Sequence, residues 1–443
     1  MIGDLTKGKE YQVLLIFALP LMLSNICQQL YNVIDTMIVG QYLGAAALAA
    51  VGSSFTLLIF VYSILLGLCL GSGVIFAFFF GAHQEEKLQH SMVTAFILLA
   101  TVTGSMTGLL LFYLEDILQL LRVPTTIFIL TEEYARIIFA GLPFVALLHY
   151  CATLMRSVGN SKTPLYLLVA GLLINIVLDL LFILVWNLGT AGAAWATLAA
   201  QGLTAVAAAF CCWQQLPLVR TLPWQLKWEP ELGRLIINQS LLACAQQTIM
   251  NFGILLIQGL VNSYGVLVMA GFSAAVKIES FAYLPLQDFG NAFATFVAQN
   301  RGAGQRARIQ KGIKIAIGLV TGFAILISSF VLVFARELLL LFVPATETAV
   351  LHIGINYLYI CGGFYFLIGY LFLFYAFYRG LAQSGISILL TVISLGTRVV
   401  LAYSLHRTAL GLQGIWWSIP IGWCLADLLG LSIYWRWQKK MLI

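Results

Sequence analysis

The segment Gly81-Ala82-His83-Gln84-Glu85-Glu86-Lys87-Leu88-Gln89 is one of the few polar stretches in an apolar chain. It reappears 221 residues later as Gly302-Ala303-Gly304-Gln305-Arg306-Ala307-Arg308-Ile309-Gln310. Working outward at the same shift, Gly44 meets Gly265 and Ala95 meets Ala316. Further along the shift drifts to 223, pairing Arg156 with Arg379 and Ser161 with Ser384. Near the ends it is 222, pairing Gly192 with Gly414 and Trp195 with Trp417. One such match means little; their common order along the chain marks a duplication.

Between the polar gaps lie long apolar blocks. A membrane-spanning helix needs about 20 predominantly apolar residues, and the blocks predict helices near 11–39, 47–80, 91–114, 130–155, 163–187, 191–214, 236–262, 266–299, 312–335, 350–378, 384–406 and 413–437. Of the 443 residues, 61% are hydrophobic and only 9% charged, with a mean hydropathy of +0.97. A soluble domain carries about 25% charged residues and has too little interior to hide this much apolar surface. The excess faces lipid, which excludes a soluble enzyme. The expected fold is an all-α integral membrane protein of about twelve transmembrane helices in two pseudo-symmetric six-helix bundles. These are residues 1–214 and 235–443, joined by a cytoplasmic linker at 215–234. Six helices bring each half back to its starting side, so the repeats are parallel, as in one class of secondary transporter with its substrate site near the midplane.

The charges that remain are sorted by place. The first apolar stretch begins after Lys7 and Lys9 and runs past Pro20 to Gly40 without a small-residue cleavage site, unlike a signal peptide. The eight cysteines all fall in predicted spans without metal-ligand spacing and read as packing residues. The net charge of +6 is topological. With a cytoplasmic N-terminus, only Arg122, Arg336 and Arg407 lie in outer loops, and most other bases lie inside. That asymmetry sets both termini in the cytoplasm, in an inner (plasma) membrane, and no nucleic-acid partner is implied.

A charged side chain at a helix centre costs roughly 2.5–3.5 kcal/mol on insertion scales, so intramembrane ionisable groups are the functional candidates. On the first helix Ser24, Gln28, Tyr31 and Asp35 share one face, flanked by Asn25, Gln29 and Asn32. Such a stripe lines a cavity or a seam. Asn175 and Asp179 lie one turn apart on the fifth helix, and Thr197 and Gln201 one turn apart on the sixth. If these faces meet, two carboxylates, an amide and a hydroxyl converge. Two such acids take up one proton or share one cation, and oxygen ligands of this kind suit a hard cation such as Na⁺. The local shifts pair Asp35, Asn175, Asp179 and Thr197 with Leu256, Arg398, Ala402 and Ile419, so the second half lacks a counterpart site. Its own ionisable residues are Lys277, Glu279, Asp288, Arg398 and Asp427. The expected neutralisers are a Lys277–Asp288 or Arg398–Asp288 ion pair, with Asp427 taking the remaining base. Lys277, Glu279, Asp288 and Arg398, with Gln28, Tyr31, Asn32 and Gln201, are also candidates for lining a substrate cavity.

The run from Leu19-Pro20 through Asp35-Thr36-Met37-Ile38-Val39-Gly40, then Gly44 to Ala50, resembles the opening of the MATE (multidrug and toxic compound extrusion) transporters. The loop Arg156-Ser157-Val158-Gly159-Asn160, Asn175 with Asp179, and Ala298-Gln299-Asn300-Arg301-Gly302-Ala303 are similar to that family too. The resemblance covers nearly the whole chain and implies cation-coupled export. In prokaryotic DinF-like members helix one carries a kinking proline and an essential aspartate, matched here by Pro20 and Asp35. The helix-five and helix-six ligands are matched by Asn175, Asp179 and Thr197. The NorM-like branch adds an acid on helix seven, where this chain has Gln246 and Gln247.

The expected function is secondary antiport of amphipathic organic compounds against inward H⁺ or Na⁺, by alternating access between the lobes, with no cofactor and a monomeric chain in the bilayer. The alternative is a flippase for a lipid-linked saccharide or cell-wall precursor. A membrane-embedded enzyme would need a nucleophile–base pair or metal cluster that five scattered histidines do not supply. No phosphate-binding loop is present, so ATP is not the direct energy source.

Overall fold

In a computed structural model the described residues are 3–121, 123–221 and 229–441, without description of the side chains of 45, 56 and 439–441. Arg122, Lys227 and the middle of the expected linker, 222–228, lie outside the described residues, as do the side chains of Lys439 and Lys440. Twelve spans follow one another. They are α1 Glu10–Gly44, α2 Ala46–Gly81, α3 Glu85–Phe112, α4 Thr125–Ala140 with Leu142–Ser157, α5 Lys162–Val185 and α6 Gly189–Gln215. The second set is α7 Pro230–Asn262, α8 Val266–Gly302, α9 Arg306–Val333, α10 Thr348–Gly362 with Tyr365–Gly380, α11 Ser384–Leu405 and α12 Gly411–Gln438. Ten are single helices, and α4 and α10 are broken spans bent by 43° and 53°. The sequence pattern predicts both as continuous, because a bend at Gly141 or Gly363–Phe364 leaves the apolar run unbroken.

The duplication is visible in the backbone itself. Left-handed φ values fall at paired positions: Gly44 (82°) with Gly265 (92°), and His83 (54°) with Gly304 (70°). Gly159 (86°) pairs with Ala382 (53°), and Gly189 (60°) with Gly411 (49°). An L-residue rarely adopts such angles, so each pair is the same turn built twice. The short helices Leu114–Leu120 and Ala335–Leu340 follow α3 and α9 in the same way. Pro20 does not interrupt α1, whose backbone stays helical up to Gly44. Pro20 has no N–H to donate, while its carbonyl takes a hydroxyl bond from Ser24 at 2.7 Å.

Packing divides the chain into two units. One comprises Leu19–Cys244 with the chain up to Leu5, and the other Thr6–Ala18 with Ala245–Ile443. The division therefore falls inside α1 and inside α7. In the first unit Gly67 and Gly71, one turn apart on α2, face the backbone of α7 at Gln239–Cys244. A Cβ at either position would lie within 3.0 Å of that backbone. Small residues four apart let helix backbones approach closely in a membrane, where packing rather than the hydrophobic effect holds helices together. In the second unit Phe272 and Trp416 stack at 5.3 Å between ring centroids, with Tyr357 edge-on to both.

Candidate coupling-cation site

The sequence places an acid on each of two helices, and the first unit brings them together. Asp35 of α1 and Asp179 of α5 are near neighbours, each carboxyl group acting on the other. Asp179 has no exposed surface. Just beyond it α5 relaxes into a π-helical turn at Leu181–Val185, a local widening frequent at functional sites. Asn175, one turn before Asp179, donates from Nδ2 to Thr197 Oγ1 of α6 at 3.5 Å, and both are buried. The four residues singled out as cation ligands thus come from three helices to one place.

The surroundings are hydroxyl-rich. The Tyr31 phenol, one turn before Asp35, lies beside Thr197 and close to both carboxyl groups. Tyr134 of α4 is buried within the electrostatic range of Asp35, Asp179 and Tyr31. Tyr62 of α2 also approaches Tyr31 and turns its hydroxyl toward Gln201. Sequence reasoning missed Tyr62 and Tyr134. A tyrosine in an apolar span carries no distinguishing local pattern, and only the helix packing assigns it a face. Among the described residues, one oxygen of Asp35, both of Asp179 and the Tyr31 hydroxyl are buried without a hydrogen bond of good geometry. Buried polar atoms in native proteins are ordinarily satisfied, so this cluster has room in its bonding for a proton or cation. Gln28 is exposed and Asn32 half-buried on the same helix. Among the described residues, neither side chain bonds to the cluster.

The second unit departs from the expected ion pairs. Glu279 receives the Tyr357 hydroxyl at 2.5 Å and sits in the field of Arg398. Arg398 therefore acts on Glu279. The Lys277 ammonium, exposed at the helix surface, lies 5.8 Å from the centroid of the Phe342 ring. Asp288 instead accepts from Asn291 Nδ2 at 3.3 Å, while Asn291 Oδ1 accepts from the buried Arg379 at 2.6 Å. Spacing of eleven residues aligned Lys277 with Asp288 on one face, but the Lys277 side chain turns to a neighbouring ring. Asp427 finds no base: among the described residues both its oxygens are buried without a partner, and the neighbour it influences is Tyr375. Of the tyrosines on α10, Tyr357, Tyr365 and Tyr375 are buried in packing, and Tyr359 is exposed. A cavity of about 10 Å³ lies among Gln246, Gln247, Gln287, Asn291, Tyr375 and Arg379; such a volume holds about one water.

The chain's relatives agree with this architecture. The probable multidrug resistance proteins YpnP and YoeA of Bacillus subtilis (strain 168) are each 30% identical to it, over 445 and 454 residues. The alignments cover 99% of this chain and 98% and 96% of those proteins. The structure of a MOP superfamily transporter from Pyrococcus furiosus superposes with a TM-score of 0.90 at 23% identity, over 99% of this chain and 97% of that one. That likeness is one of fold. The MatE family model matches twice, at residues 20–181 and 243–404, once in each half of the duplication. The chain belongs to the MatE family of multidrug efflux transporters, which are membrane proteins and not enzymes.

Proposed function

We propose that the protein exports amphipathic organic compounds in exchange for inward H⁺ or Na⁺, by alternating access of its halves 1–214 and 235–443 across the linker 215–234. The observation that carries this reading is the approach of the half-buried Asp35 to the fully buried Asp179, with no base beside them among the described residues. Bare, the pair repels itself in low dielectric; loaded with one positive charge, it is held together. A cation that binds one arrangement of α1 better than the other shifts the equilibrium between them, and that difference couples the two fluxes. Two neighbouring carboxyl groups suit one shared proton. The amide and hydroxyl oxygens of Asn175 and Thr197 beside them favour the second reading, a Na⁺ shell of four oxygen-bearing side chains.

Multidrug resistance proteins at 30% identity support drug export over a flippase for lipid-linked precursors. The distribution of bases supports an inner-membrane protein with both termini cytoplasmic, and we take the monomer as the transporting unit. In proteoliposomes, substrate export should stop when the ion gradient is collapsed. Repeating the measurement without Na⁺ separates the two coupling ions. Export that persists without any cation gradient would overturn the reading.

A further inference from the structure

The start of α9 is the most basic stretch of the described chain, with Arg306, Arg308, Lys311 and Lys314 in its first three turns. Around it lies an open cleft of about 450 Å³, lined by Glu10, Arg306, Arg308, Lys311 and the chain at Gly304 and Gln305. Arg308 is already engaged. Its guanidinium donates to the carbonyls of Gly8 at 2.6 Å and Lys7 at 3.0 Å and faces Glu10 at 3.7 Å. Glu10 is the one acid in the lining and Arg308 answers it. That leaves Arg306 and Lys311, both exposed and, among the described residues, without an acidic partner. The cleft therefore holds two positive charges in excess.

A second feature runs from the cleft down the same helix. Below Lys311 the exposed face of α9 carries Gly318 and Gly322, where a Cβ would meet nothing within 4 Å. Ile325 and Leu326 follow, 59% and 64% exposed. From Lys311 to Ile325 is about 21 Å along the axis, most of one leaflet's depth and more. Basic head above and shallow apolar trough below make one amphipathic surface. A free anion would use only the first part; a lipid uses both.

We propose that the cleft binds the phosphate of an anionic phospholipid, with Arg306 and Lys311 as its ligands and an acyl chain laid in the Gly318–Gly322 trough. The ligand class follows from the charge and from the continuity of the two surfaces. Nothing in it depends on which cation drives transport.

Native mass spectrometry of the full chain, titrated with phosphatidylglycerol and with phosphatidylcholine of the same acyl chains, tests this. The wild type should retain phosphatidylglycerol preferentially. Arg306→Gln with Lys311→Gln should weaken that binding about twentyfold, from roughly fivefold for each base near an anionic lipid, without altering phosphatidylcholine. Gly318→Leu with Gly322→Leu fills the trough without touching charge and should weaken both lipids. Neither pair touches a packed neighbour, so melting temperatures should stay near wild type. Equal retention of the two lipids by the wild type would overturn the proposal, as would an unchanged preference in the double glutamine variant. Full displacement of phosphatidylglycerol by millimolar inorganic phosphate would make this a site for soluble anions and overturn the lipid assignment.

Discussion

Asp35 and Asp179, separated by 144 residues in the chain, bring two carboxyl groups into each other's field from two helices, and among the described residues no Lys, Arg or His joins them. One positive charge, as a proton or as Na⁺, is what such a pair lacks. Asp35→Asn replaces an acid with an amide of the same shape that can donate to Asp179 permanently, so the pair no longer needs the cation. Cation-dependent export should fall to the background of empty vesicles, while membrane insertion and the melting temperature hold. Asp179→Asn should do the same. The double variant should be no worse than either, since residues acting as one unit are not additive. Normal coupled export by either single variant would remove the pair from the mechanism.

Gly44 and Gly265 hold one conformation in two places, with φ of 82° and 92° and ψ near 180°. No neighbouring atom lies within 4 Å of a Cβ built at either, so only backbone strain opposes a side chain. Gly44→Ala and Gly265→Ala should each cost about 1–3 kcal/mol. Gly52 is the control: it is helical and equally uncrowded, and Gly52→Ala should be neutral or stabilise by up to about 1 kcal/mol. Thermal unfolding in detergent reads all three. Equal effects at Gly44 and Gly52 would mean the turn is not strained.

The periodicity of apolar blocks was enough to read twelve spans, and the order of weak matches enough to read the duplication, because both are patterns spread over hundreds of residues. The candidate residues Asp35, Asn175, Asp179 and Thr197 stand out in the sequence because polar groups in a lipid-facing composition are visible one by one. Tyr62 and Tyr134 do not, since aromatic residues are as common in plain packing. The ion pairs of the second half were misread for a different reason. Helical phase places Lys277 and Asp288 on one face, yet a lysine stem of four methylenes reaches an aromatic ring as readily as an acid. Glu279 lies in the field of Arg398, a residue of another helix, a relation that no spacing within α8 contains. The breaks in α4 and α10 were invisible to hydropathy, which registers composition and not direction.

Gly67 and Gly71 let α2 lie directly against the backbone of α7 near Cys244 and Gln239. At each position a methyl group would press on backbone atoms, which cannot turn aside as a flexible side chain can. Gly67→Ala or Gly71→Ala should therefore destabilise by about 1–3 kcal/mol, the usual cost of overpacking, and Gly67→Leu should prevent folding. Gly104, on α3 with open space around it, should accept alanine freely. Folded yield by size-exclusion chromatography and melting temperature will separate these cases. A Gly71→Ala protein as stable as Gly104→Ala would contradict the close approach.

Tyr357 gives its hydroxyl proton to Glu279 inside a nest of Phe272 and Trp416, all three rings nearly inaccessible. Tyr357→Phe keeps the ring packing and deletes only the donor, so its cost isolates the hydrogen bond. A buried acceptor that loses its partner carries its desolvation penalty, about 1–3 kcal/mol, and the variant should melt lower by that measure. Glu279→Gln retains an acceptor oxygen for the same hydroxyl and should be closer to wild type. Combining Tyr357→Phe with Glu279→Gln should lose less than the two changes summed, because each alone already breaks or weakens the one shared bond. Additive losses in that cycle would show that the two side chains are stabilised separately and that the contact itself contributes nothing.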